Sequence, residues 1–359
     1  MITKAELMLP LLALLLNAAP SQTTTHTPGE CIPTSQGDGV DKKLHMLCYL
    51  AAINSHAETT NFSLIPAENT VSLTVQCIDK NSVSNLEPRG LRSLVWLEEL
   101  SIIDCNFETI PDKAFLGLTR LKTLNIKSSS QGQLSFSRGS FEGLANLQSL
   151  DISQNHVRFP DRGVLCSMPN LIYLNLSNAE LNSVSDLGLT TVMSQANCLR
   201  NVKVLDLSRN QLTSIRWTEG NGGLEDRIHD LDASRRQDVF NFPSLQKLDL
   251  SYNFIRSLDE ESFVFISSSD RVDLDMSNNQ LSHLPPEIFS YSQYKHISLA
   301  NNSLTNLPSD VFTHQENLEF LDLSGNLLDS SELKPALFAG TPKLLELYLN
   351  NNRYVVVML

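Results

Sequence analysis

The chain has 359 residues, of which 41% are apolar and 19% charged, and it carries a net charge of −13. That balance excludes a chain that is disordered or membrane-embedded throughout. It also argues against a protein that grips a nucleic-acid backbone, which needs clustered Lys and Arg, and it favours a partner bearing positive charge through long-range steering.

Residues 1–21 read as a secretory signal peptide. Lys4 supplies the positive start, Leu7 to Leu16 is an apolar run broken only by Pro10, and Ala19-Pro20-Ser21 offers small residues for cleavage. The run is too short to span a bilayer, and no later stretch approaches the roughly 20 apolar residues that a span needs. Entry into the secretory pathway makes the six cysteines disulfide candidates. It also gives meaning to three glycosylation sequons, at Asn61, Asn175 and Asn301. Residues 22–96 read as an N-terminal cap. Within it Leu73, Val75 and Cys77 alternate as in a strand, and Cys77 is expected to pair with Cys48 or Cys31. His45 lies near Cys48, but no matched second pair of ligands accompanies them, so no metal is expected.

From Leu97 onward one pattern recurs: L-x-x-L-x-L-x-x-N/C-x-L. Leu97 to Phe107 opens it with Cys105 at the ninth place, and later ninth places carry Asn155, Asn210, Asn253, Asn279, Asn302, Asn326 and Asn352. Degraded copies carry Ser129 and Ala179 there, and the copy with Asn279 begins with Arg271. The apolar places should bury against neighbouring turns, while the ninth-place Asn pairs backbone groups that turn inward. Cys105 reads as a weakly bonding substitute for that Asn. Phe115, Phe141, Phe289, Phe312 and Phe338 recur behind the strands. These features define leucine-rich repeats of about 24 residues. The fold class expected is an α/β solenoid: a horseshoe with a parallel β-sheet on the concave face and a mostly irregular or short-helical convex side.

Two irregularities interrupt the repeats at 97–359. The gap of 43 residues between Asn210 and Asn253 leaves 213–244 open between an extra repeat and a loop, and 128–140 is a Ser-rich insertion. Cys166 and Cys198 precede successive repeats at nearly equivalent places, one coil apart, so they are expected to be bridged. After Asn352 the chain ends at Leu359 without a cysteine-bearing cap, which suggests part of a larger receptor.

Leu97-Glu-Glu-Leu-Ser-Ile-Ile-Asp-Cys105, Ala114-Phe-Leu-Gly-Leu-Thr-Arg-Leu121, Cys166, Asp186-Leu-Gly188 and Cys198 make residues 86–215 resemble the long Toll receptors of arthropods, the 18-wheeler and Tollo group. The resemblance implies a cell-surface receptor ectodomain in innate immunity or development. It further implies a protein ligand such as a Spätzle-like cystine-knot cytokine or another surface protein, and receptor dimerisation. A soluble binding or decoy protein, or an adhesion or matrix protein, would be built from the same repeats. No cofactor is implied.

On the concave face, places two, three, five, seven and eight should face solvent. Lys122, Asn125 and Lys127 then form a basic patch, and Asp151, Asp206, Asp249, Asp275 and Asp322 an acidic row. Tyr173, Tyr252, Phe320 and Tyr348 are the expected ligand anchors, since exposed aromatics carry much interface energy. No phosphate loop, metalloprotease motif or nucleophile elbow occurs, so an enzyme is not expected.

Overall fold

The computed structural model describes residues 28–36, 43–53, 62, 65–128, 132–189, 198–215, 241–260, 262–266, 271–329 and 333–353. The expected signal peptide, the Asn61 sequon, the tail after Arg353 and most of 213–244 lie outside these residues.

Each repeat contributes a strand with one apolar residue pointing in between two that point out. Ser149–Asp151, Val204–Asp206 and Phe320–Asp322 each bury their central Leu while both neighbours stay partly exposed. A lone strand of this kind cannot cover its inner face, so each coil must stack on the next. Among the described residues the result is a 13-stranded sheet. Its repeat strands pair in parallel and in register, with Leu124, Leu150, Leu174 and Leu205 side by side, and then Leu248 and Leu274. Among the described residues the only helical elements are short 3₁₀ turns such as Val164–Ser167 and Pro335–Phe338. The described coils therefore form the expected leucine-rich-repeat solenoid, with a parallel sheet on one side, a mostly irregular other side and very little helix.

The sheet runs back beyond Leu97 into the cap region. Thr70–Cys77 pairs in parallel with Glu99–Ile103, and Leu44–Leu50 in parallel with Thr70–Cys77. Only Glu30–Gln36 reverses direction, closing the edge antiparallel to Leu44–Leu50. The degraded copy at Arg271 is repaired by a slip of one residue. Val272 takes the buried inner place opposite Tyr294, and Arg271 is left outside, 3.5 Å from Glu319. Val204 pairs directly with Lys247, so no other strand of this sheet separates the two coils flanking the long gap.

The Ser-rich insertion contributes structure of its own. Gln133–Phe136 forms a strand between Thr109–Ile110 and His156–Arg158 on the second side of the coils. Leu134 and Phe136 are buried because they alternate with polar Gln133 and Ser135. Phe136 stacks on Phe141 and Phe159 at 5.0 and 5.5 Å. The expected Phe column is present as two runs, Phe115–Phe141 and Phe289–Phe312–Phe338. Phe263 extends the second run.

Three disulfides join Cys31 to Cys48, Cys77 to Cys105 and Cys166 to Cys198. The pairing expected for Cys77 was with Cys48 or Cys31, and the register corrects it. Cys48 faces Cys31 across the antiparallel pair, whereas Cys77 ends its strand beside the coil that carries Cys105, with Cα atoms 4.9 Å apart. Cys105 is thus no passive substitute for Asn; it ties the first clear repeat to the coil before it.

The ninth-place asparagines lock the coils together. In Asn279, Nδ2 donates to the carbonyls of Met276 and Ser277 in its own coil and of Leu250 in the coil before, while Oδ1 accepts from Ile255 N–H. Asn210, Asn253, Asn302, Asn326 and Asn352 repeat these bonds one coil apart. Truncating Asn279 to Ala strands several buried backbone groups at once. The expected loss is about 3 kcal/mol, against within about 0.5 kcal/mol for the exposed Asn306→Ala, both read from urea unfolding midpoints.

Candidate ligand-binding surface

Side chains at places two, three and five leave the sheet on its concave side, as the repeat pattern requires. Place seven follows only at some coils, such as that of Lys127, whose side chain is 37% exposed. Ser153, Ser208, Ser251 and Ser277 are all buried there. The chain is already turning inward at this point, because the next left-handed residue ends the strand. That eighth place has positive φ at Asp104, Gln154, Asn178, Arg209, Tyr252, Asn278, Asn301 and Asn351, and at Gly325.

The turn also absorbs the acidic row. The Oδ1 atoms of Asp151, Asp206, Asp249, Asp275 and Asp322 each accept the backbone N–H two residues on, at 2.8–3.0 Å. Asn175 does the same for Ser177. These carboxylates shape the strand exit first and face a partner second. Their field is still felt: burial, then Asp151 and Asp206, push the Tyr173 phenol up. Burial likewise raises the Asp206 carboxyl above its usual range, with Asp249 adding to the effect.

The basic patch is largely neutralised. Lys122 lies 2.7 Å from Glu98, Lys127 lies 2.8 Å from Asp151, and Asn125 donates to Ser101. The aromatic anchors separate into distinct places. Tyr173 is half-buried in mid-sheet. Tyr252 stands at the turn, 48% exposed, with the Arg209 guanidinium 4.3 Å above its ring. Phe320 and Tyr348 do meet, with ring centroids 5.3 Å apart. His296, which the sequence reading passed over, joins them edge-on to Phe320 at 5.8 Å, its Nδ1 2.6 Å from Asp273. Its place-three position beside Phe320 was the available signal. Around this cluster Tyr348 bonds Glu346, and Arg271 and Lys295 both approach Glu319. The patch therefore combines aromatic faces with a polar rim.

Of the two described sequons, Asn301 is exposed at a turn and Asn175 is buried in the sheet, its amide oxygen held by Ser177. Among the described residues no group of His, Cys, Asp and Glu is placed to hold a metal ion, and no helix is long and apolar enough to cross a membrane.

The repeat family described as "Leucine rich repeat" matches residues 95–157, 134–181 and 272–328, and its second form matches 244–265 and 317–340. These coils are leucine-rich repeats. The leucine-rich-repeat chain is 31% identical over 211 residues to Toll-like receptor 7 of Drosophila melanogaster, covering 56% of this chain and 13% of that protein. It is 28% identical over 290 residues to Toll-like receptor 3 of Boselaphus tragocamelus, covering 77% of this chain and 29% of that one. The matched part thus spans less than a third of either relative. Among solved structures, the leucine-rich-repeat protein FLRT2, in an octameric complex with latrophilin 3 and Unc5D, shares its fold. The TM-score is 0.57 at 18% identity, with 81% of this chain and 77% of that chain covered.

The Asp206 geometry gives a test of the turn. A carboxyl whose folded pKa is raised above 3.8 favours the fold when protonated, and that contribution fades as pH rises through the folded pKa. Asp206→Asn keeps the acceptor for Ser208 and removes the buried charge. It is expected to unfold at a higher temperature than the parent at pH 7, with the gap closing toward pH 3, as read by calorimetry across pH.

Proposed function

We propose that this leucine-rich-repeat chain is the ligand-binding part of a Toll-type cell-surface receptor of the arthropod group, and that it holds a protein ligand on its concave face. The observation that carries the reading is the contact of Phe320 with Tyr348 beside His296, three adjoining coils presenting aromatic side chains outward from a rigid sheet. Large exposed aromatics with a polar rim concentrate interface energy. The relatives that are Toll-like receptors support the receptor class. The FLRT2 complex supports a protein as the partner. Three disulfides fit an extracellular setting.

The ligand class is a Spätzle-like cystine-knot cytokine or another surface protein with a basic contact patch, attracted by the net charge of −13. Ligand-driven dimerisation would then serve signalling in immunity or development. Lys122, Asn125 and Lys127 take a lesser part in this scheme, because their charges and amide are already paired. Tyr173, Asp206 and Tyr252 lie two to four coils before His296, outside this contact.

Two outcomes are expected. Against a panel of cystine-knot cytokines, the binder should lose at least tenfold affinity, about 1.4 kcal/mol, with either Phe320→Ala or Tyr348→Ala by surface plasmon resonance. Unchanged affinity in the double variant sinks the concave-face reading. When the chain is secreted from cells, glycopeptide mass spectrometry should find a glycan on Asn301 and none on Asn175.

A further inference from the structure

Beside the concave sheet, on the flank where each strand begins, six successive coils form an open groove of about 570 Å³. Its lining comes from place two of each repeat and from the residue just before place one. The cations are Arg120, Lys122 and Lys203, against the single carboxylate of Glu98. A positive groove on a chain of net charge −13 is a local reversal of sign.

The groove is also rich in fixed amides. Asn146, Asn170 and Asn201 stand one above another, each donating Nδ2 to a carbonyl of the preceding coil, to Thr119, Ala145 and Pro169 at 2.7–2.9 Å. One N–H bound in this way fixes the amide plane. It leaves each Asn with an acceptor oxygen and a second N–H. Gln148 adds another amide between them. These groups recur at the coil spacing of about 4.8 Å.

The cations differ in how far they are already committed. Lys122 is shared with Glu98 at 2.7 Å. Arg120 places its guanidinium carbon 3.7 Å from the centre of the Trp96 ring, and a guanidinium stacked on an aromatic can still donate from its edge. Lys203 forms no ion pair among the described residues.

We propose that this groove binds an acidic oligosaccharide, a chain of sugars carrying carboxylate or sulfate groups. Hydroxyls both donate and accept, so they match amides that offer one donor and one acceptor each, and the anionic groups match Lys203 and Arg120. An acidic peptide matches less well. Peptide grooves rely on apolar pockets for anchoring side chains, and Ile172 is the single apolar side chain in this lining. The site is separate from Phe320 and Tyr348, so it stands whether or not a protein binds the concave face.

The experiment is isothermal titration of the intact secreted chain with three probes and a peptide. The probes are a heparin hexasaccharide, an oligogalacturonate and neutral maltohexaose; the peptide is an oligoglutamate. At least one acidic sugar should bind, weaken as salt rises from 50 to 500 mM, and lose tenfold or more affinity in Lys203→Glu. Maltohexaose should not bind, and Lys334→Glu, on the opposite side of the coils, should change nothing. The heparin and galacturonate arms tell sulfate from carboxylate recognition. Unfolding midpoints of both variants equal to the parent show that they fold. Asn170→Ala, which removes one amide and no charge, should weaken binding separately. The proposal is overturned if neither acidic sugar binds, if Lys203→Glu binds as the parent does, if both charge variants lose affinity equally, or if oligoglutamate binds as tightly as the sugars.

Discussion

The structure depends on one side chain repeated at one place. An inward turn after each strand leaves carbonyls and an N–H buried with no strand partner, and the ninth-place Asn satisfies them in two coils at once. Leu supplies the driving force for stacking, but Leu packing alone would allow a coil to rotate or slide. The asparagine amide fixes where each coil sits on the last, and it does so because it carries donors and an acceptor in one plane. Where Asn is missing the chain finds another solution: the Ala179 N–H donates to Asn210 Oδ1 of the following coil, and Cys105 is tied covalently.

Fixing the turn decides what the concave face can offer. The Asp residues at place five and the Ser residues buried at place seven are drawn into the strand exit, the first through their side-chain oxygens and the second through their burial. Recognition is left mainly to places two and three, to aromatics at places five and eight, and to the residue before the strand. That is why the aromatic cluster and the amide groove lie on different parts of one sheet. The scaffold is rigid in both, so neither has to be ordered when a partner arrives.

Most of the fold was legible because the repeat is a direct record of stacking. Leu, Asn and Phe each mark a coil place by their chemistry, and Cys166 with Cys198 could be paired from their separation of one coil. The same reasoning would have paired Cys77 with Cys105, 28 residues apart, but the coil at Thr70–Cys77 lacks the Leu-rich signature and so hid the repeat it belongs to. The strand inside the Ser-rich insertion gave little signal, because the alternation of Leu134 and Phe136 spans only Gln133–Phe136. The site was less legible. Outward places carry no periodic demand, so His296 looked like any polar residue until its neighbours across the sheet were known. The acidic row was conspicuous in sequence for a reason that proved to be mainly local turn geometry.

The cysteines give the stack a direction of failure. All three crosslinks fall before the strand Val204–Asp206, and each closes a loop of 17 to 32 residues, worth roughly 3 kcal/mol in restricted unfolded chain. The coils from Phe242 onward carry no cysteine and so no such crosslink. The crosslinked coils are therefore expected to outlast, on heating, the uncrosslinked ones that carry His296, Phe320 and Tyr348. A reducing agent should narrow that difference, leaving the amide groove and the aromatic patch resting on the same forces.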